Sequence, residues 1–158
     1  MIEIDTKRIE LYLRIYQPSY RFLKKLEINY PIISGDFIVP PTFYTLKELD
    51  HLSDVETQFC LNQLAYVGIS EAIKKEQILK EMGGRFGKIP YGEAVIGKSE
   101  KKFREKIDPS KNIHGELEVK RIFNLEDKII AMTLFDFEKG KCFGKLNIAL
   151  IRDKRYKK

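Results

Sequence analysis

The 158-residue chain has no tryptophan, only two histidines and only two cysteines. No stretch approaches the roughly 18 continuous apolar residues of a membrane span, so no membrane-crossing helix is expected. Cys60 and Cys142 are too few for a disulfide framework or a zinc site, and both sit in apolar runs. They read as buried free thiols, and a reducing, cytoplasmic setting is the matching expectation. The start, Met1-Ile-Glu-Ile-Asp-Thr-Lys-Arg8, lacks the basic-then-apolar order of a secretory signal. Also missing are a Gly-x-Ser-x-Gly elbow, a Walker loop, a His-Glu-x-x-His pair and paired Cys-x-x-Cys motifs, so neither a metal nor a resident cofactor is expected. Gly83-Gly-Arg-Phe-Gly87 is glycine-rich but has no following Lys-Ser/Thr and reads as a connector. No repeat, low-complexity block or Pro/Gly/Ser-rich linker divides the chain, which favours one domain over residues 1–158.

What is present is a globular composition, 43% apolar and 33% charged. The formal charge is +6, with basic excess at Lys98–Lys106 and in the tail Arg152-Asp-Lys-Arg-Tyr-Lys-Lys158. A solvated surface and a frayed terminus account for it. A rim for phosphates or for an acidic partner surface is the more specific reading. Nucleic acid is not expected as a partner, because no reader motif and no aromatic-studded basic stripe accompanies the charge.

Near-helical spacing marks Thr6–Ile15 and Arg21–Leu26, with Pro18 interrupting, so a helical or irregular segment is expected over about the first 25 residues. Leu26–Tyr30 and Gly35–Val39 read as short strands around Pro31, and Thr42–Leu46 resumes an extended run after Pro40-Pro41. Ser53-Asp54-Val55-Glu56 has the form of a capping box, in which a serine hydroxyl and a glutamate three residues on satisfy orphan N–H groups reciprocally. It opens a helix over Asp54–Ile73 that is apolar on more than one stripe, and such a helix needs other structure around it. Strands follow at Gly92–Gly97, Lys101–Ile107, Gly115–Phe123, Ile129–Phe137 and Lys141–Ile151, with Glu138-Lys-Gly-Lys141 as a hairpin turn. In the third of these, Leu117, Val119, Arg121 and Phe123 alternate with Glu116, Glu118, Lys120 and Ile122. The sum is an α+β chain: an antiparallel sheet wrapped around one long central helix, the hot-dog arrangement.

Chemistry can sit near the start and middle of that helix. Asn62 and Gln63 are amides inside an apolar run, and an enclosed amide without a partner costs roughly 1–3 kcal/mol. Asn62 has Gln58 one turn before it and Tyr66 one turn after it. It is either a satisfied amide that fixes packing or a donor aimed at a substrate carbonyl. Glu56 is explained by its capping position, or it is a general base at the positive end of the helix dipole. His51, just before the cap, is a solvent-exposed loop residue or an acid–base group near neutral pH. Tyr44 packs in a strand or supplies a phenol donor.

The stretch His51-Leu-Ser-Asp-Val-Glu-Thr-Gln-Phe-Cys-Leu-Asn-Gln-Leu-Ala-Tyr66 resembles the FcoT-like family of hot-dog long-chain fatty acyl-CoA thioesterases. Lys102-Phe-Arg-Glu-Lys-Ile-Asp-Pro-Ser-Lys111 is similar to a second family segment, and Gly144-Lys-Leu-Asn-Ile-Ala-Leu150 to the family's last strand. The resemblance spans about Gly35 to Ile151. It implies Tyr44, Asn62 and Tyr66 as pocket residues, and it aligns His51 and Glu56 with a family histidine and glutamate. Where the family has an asparagine two residues after that histidine, this chain has Ser53, which can cap the helix or hold a water but cannot present an amide. Before Gly35 only Tyr16 or Tyr20 is a candidate.

The implied substrate is a fatty acyl thioester, with coenzyme A or phosphopantetheine on an acyl carrier protein as part of it. The implied reaction is hydrolysis. Relatives that add glycine to an enoyl thioester, on the way to isonitrile lipopeptides, and hot-dog 3-hydroxyacyl dehydratases keep other chemistries open. A non-catalytic acyl-binding module is the remaining alternative. By analogy with hot-dog proteins, a homo-oligomer is expected, either a dimer or a trimer of dimers.

Overall fold

Period-two burial, apolar inward and polar outward, organises most of the chain. The computed structural model describes residues 1–42, 44–75 and 91–152. Among them seven strands form one antiparallel sheet: β1 (Ile2–Ile4), β2 (Leu23–Asn29), β3 (Ile32–Phe37), β4 (Tyr91–Phe103), β5 (Ile113–Asn124), β6 (Lys128–Phe137) and β7 (Cys142–Arg152). Their order across the sheet is β1-β2-β3-β5-β6-β7-β4. Two helices accompany them, α1 (Thr6–Leu13) and α2 (Asp54–Lys74), with a 3-10 turn at Pro18–Tyr20. The α+β class and the antiparallel sheet are as the sequence implied. The glycine-rich stretch at Gly83–Gly87 and the tail beyond Arg152 lie outside the described residues.

The inward face of the sheet carries rows of paired residues such as Ile33, Leu117, Phe135, Gly144 and Lys101. α2 packs on that face, against β2, β3, β5 and β4. Gly68 permits the approach, since a Cβ there would stand 2.4 Å from Ile33 Cγ2. From Glu56 to Ile73 every α2 residue is buried except Gln58, Phe59, Asn62 and Tyr66, which fall on one helical stripe. Between Glu56 and Ile73 the surrounding structure therefore leaves one seam of α2 accessible, and the helix is exposed again at its ends, at Asp54, Val55 and Lys74.

Several sequence expectations give way here. Where a helical or irregular segment was expected at Arg21–Leu26, β2 begins at Leu23. A register shift between Leu23 and Lys25 leaves Leu23 and Leu26 both buried, three residues apart, and imitates helical spacing. In the expected extended run Thr42–Leu46, Phe43 lies outside the described residues, residues 44–47 are bends, and the Thr42 hydroxyl takes the Leu49 N–H at 3.3 Å. The two strands expected on either side of Lys98 are one edge strand, β4, with a register shift between Ile96 and Lys98. It ends at Phe103, and buried Ile107 then accepts the Leu52 N–H at 2.8 Å. In β5 a shift between Val119 and Arg121 changes the phase, so Ile122 pairs with buried Ala131 while Arg121 and Phe123 are exposed.

Candidate functional site

α2 begins with the capping box in full: Ser53 Oγ accepts the Glu56 N–H at 3.3 Å and Glu56 Oε2 accepts the Ser53 N–H at 2.8 Å. The other carboxylate oxygen, Oε1, accepts the Thr42 hydroxyl at 3.4 Å. Tyr44 shares a hydrogen bond of 2.5 Å with Ser53 Oγ. Tyr44, Ser53 and Glu56 thus form one bonded cluster. Glu56 is 3% exposed, yet it lines a cavity of about 380 Å³ whose remaining walls are Tyr20, Phe22, Pro40, Tyr44, Val55 and Phe59. A carboxylate in an otherwise apolar wall is an expensive placement that the cap and the Thr42 hydroxyl make tolerable.

His51 stands apart from that cluster. Its Nδ1 pairs with Asp50 Oδ1 at 2.9 Å, and it lines a different cavity of about 510 Å³ with Leu52, Ser53, Asp54, Phe103, Arg104, Glu105 and Lys106, the last of which donates to Asp50 Oδ2 at 3.2 Å. Among the described residues no hydrogen bond links His51 to Glu56 or to Asn62. The two cavities adjoin the same first turn of α2, one lined by Glu56 and the other by Asp54.

Asn62 lies one turn beyond Gln58, whose Nε2 donates to Asn62 Oδ1 at 2.6 Å. Gln58 Oε1 in turn accepts from Ser99 Oγ at 3.0 Å and from Lys101 Nζ, and Lys101 Nζ also pairs with Asp54 Oδ1 at 3.1 Å. Gln63 is a packing amide: Oε1 accepts the Phe22 and Leu23 N–H groups at 2.9 and 3.1 Å, and Nε2 donates to the Tyr20 carbonyl at 2.6 Å. Tyr66 stacks edge-on against Tyr12, 5.6 Å between centroids, and Phe59 contacts Tyr16, Tyr20 and Phe22. The accessible stripe of α2 thereby alternates amide and aromatic groups.

Burial raises the phenol pKa of Tyr44, Tyr66, Tyr16 and Tyr12, so these hydroxyls stay protonated near neutral pH. Burial likewise lifts the Cys60 thiol well above its ordinary value and that of Cys142 to about 11. Both cysteines are free and buried, as read from the sequence, and neither is a thiolate nucleophile.

Of the residues singled out in the sequence, Tyr44, Ser53 and Glu56 share one bonded cluster, Asn62 and Tyr66 share the accessible face of α2, and His51 stands apart. Thr42, Ser99 and Lys101, which bond to Glu56 and Gln58, were not singled out. Nothing local marks Thr42. Ser99 and Lys101 are separated by one residue in a charged run, and that period-two spacing on a strand was the signal that they share a face.

The family model described as FcoT-like thioesterase domain matches residues 11–150. The chain belongs to this family, which is of thioesterase type and implies an acyl thioester substrate. No curated protein matches the chain. Among the described residues no helix is long and apolar enough to cross a membrane, and no group of three or more His, Cys, Asp or Glu could hold a metal ion.

Proposed function

We propose that the chain is a hot-dog enzyme that hydrolyses long-chain acyl thioesters carried on coenzyme A or on an acyl carrier protein. The observation that carries this reading is the Glu56 carboxylate in the wall of the apolar cavity beside Tyr44 and Phe59. The acyl chain occupies that cavity. Glu56 takes a proton from a water that attacks the thioester carbonyl carbon. The Asn62 amide donates to the carbonyl oxygen as negative charge develops there, and the Tyr44 hydroxyl, positioned by Ser53, orients the water. Collapse of the tetrahedral species breaks the C–S bond, and the thiolate leaves with the proton from Glu56.

Tyr66 forms the wall of the accessible seam past Asn62. The second cavity accepts the phosphate-bearing end of the carrier, with Arg104 as the cation that meets its negative charge, since His51 and Lys106 are each paired with Asp50. On this reading the chain is one hot-dog domain that works as a homo-oligomer, a dimer or a trimer of dimers. It uses no metal or resident cofactor.

A panel of saturated and enoyl acyl-CoA and acyl-carrier substrates, with products identified by mass, tests the proposal. Free acid and free thiol support it. A water-loss product or a glycine adduct moves the chemistry from the carbonyl carbon to the enoyl carbons. Binding with no turnover on any substrate leaves an acyl-binding module and ends the enzyme reading.

A further inference from the structure

Lys101 sits on the inward face of β4, paired in register with Gly144, and its side chain is only 12% exposed. Its ammonium reaches Gln58 Oε1 and, at 3.1 Å, Asp54 Oδ1. An ammonium has three N–H donors and no lone pair, so the end of the Gln58 amide that meets it must be the oxygen. The opposite end of Gln58 is then an NH2 group, also donor-only, and it faces Asn62 at 2.6 Å. The atom of Asn62 that meets it must therefore be Oδ1. Each link fixes the next, from the cation to the first amide and from the first amide to the second.

The consequence falls on the far end of Asn62. Its Nδ2 points away from Gln58 and has no partner among the described residues. Asn62 belongs to the accessible stripe of α2, between Phe59 and Tyr66. We infer that Lys101 and Gln58 are positioning residues that lock the Asn62 amide with its NH2 toward the seam, as a dedicated donor to a carbonyl oxygen. This rests on the proposed role of Asn62 in polarising the thioester. Without the lock the asparagine amide can turn over and present its own oxygen, which repels the developing oxyanion. A chain that begins on a cation also polarises each successive amide, which strengthens the final donor. Asp54 balances the ammonium charge at the mouth of the network, and Ser99 gives Gln58 Oε1 a second donor at 3.0 Å.

The decisive substitution is Gln58→Glu. A carboxylate at 58 accepts from Lys101 on one side and accepts only on the other, so Asn62 must turn its NH2 inward and its oxygen toward the seam. The change keeps the side-chain length and sets a carboxylate against Lys101, and thermal unfolding checks that the fold is retained. The full-length protein is assayed with a long-chain acyl-CoA as Gln58→Glu, Lys101→Met, Lys101→Arg and Asn62→Ala. Side-chain amide NMR of Asn62 is recorded alongside for the wild type and Gln58→Glu.

The expected result is a fall in kcat of about 100-fold for Gln58→Glu, the scale of losing one oxyanion donor, with KM little changed. Lys101→Met falls less, and Lys101→Arg, which keeps a donor-only cation, recovers most of that loss. In the wild type the Asn62 amide protons lie near the Tyr66 or Phe59 ring, and in Gln58→Glu those contacts disappear. If Asn62→Ala is inactive while Gln58→Glu and Lys101→Met keep wild-type kcat, or if the Asn62 contacts do not change, the positioning inference is overturned and the role of Asn62 stands. If Asn62→Ala is itself fully active, the proposed role of Asn62 fails, and this inference with it.

Discussion

The amide of Gln63 is bonded at both ends to the backbone of Tyr20, Phe22 and Leu23, whereas that of its neighbour Asn62 is bonded, among the described residues, only through its oxygen, to Gln58. The two residues look alike in the sequence, but one hundred degrees of helical rotation separates their surroundings. Gln63→Ala strips partners from two buried N–H groups and a carbonyl, so it should destabilise the protein by about 3 kcal/mol or more in urea unfolding. Asn62→Ala should change stability by less than about 1 kcal/mol, because its side chain is partly solvated and gives up one hydrogen bond.

A second prediction concerns the attachment of α1 to α2. Glu71 is fully buried, and its Oε1 accepts from Arg8 Nε at 2.6 Å and from the Tyr12 hydroxyl at 2.7 Å, while Oε2 has no partner among the described residues. Such a carboxylate depends on every donor it has. Tyr12→Phe removes one with almost no change in shape and should cost about 1–3 kcal/mol. Amide exchange should then show α1 opening more often than the sheet.

Stability should also depend on pH through His114. Desolvation works against its charged form, but hydrogen bonds and charge from Asp36 and Glu116 outweigh it and raise its pKa above 6.5. The folded-state pKa is the higher one, so the stabilisation is fully present below the unfolded value and is lost as pH rises through the folded value. The melting temperature should therefore decline from about pH 6 to pH 8 more steeply in the wild type than in His114→Gln. Parallel profiles for the two proteins would count against it.

At Gly68 the demand is steric. A methyl group there meets Ile33 Cγ2 at 2.4 Å, so Gly68→Ala should destabilise by about 1–3 kcal/mol despite its better helix propensity. Adding Ile33→Ala should make the alanine at 68 less costly than it is alone, which a double-mutant cycle measures.

The capping box and the all-round apolar run made α2 legible almost to the residue, because both signals are local. The strands from β5 onward were legible for the same reason, by alternation and a glycine turn. What the sequence hid lies where a bulge resets the phase: at Leu23–Lys25 it imitates a helix, and after Val119 it exchanges inward and outward positions. β4 was split in two because Lys98, Ser99 and Glu100 offer no apolar residue, and the inward one of them, Ser99, bonds to Gln58 instead of packing in the core. The site followed the same division. Residues on α2 and at its cap could be found from the helix alone, whereas Thr42 and Lys101 join it only when loop and edge strand are folded against it.

The most direct measurement is the release of free acid from a long-chain acyl thioester in oxygen-18 water, comparing wild type with Glu56→Gln. Glutamine preserves the capping box and the shape of the cavity wall, so the substitution removes the base and little else. The proposed function predicts one labelled oxygen in the acid from the wild type and a rate at least about 100-fold lower for Glu56→Gln, with KM nearly unchanged. Release of acid by Glu56→Gln at the wild-type rate, or an intact thioester after prolonged incubation with the wild type, would contradict it.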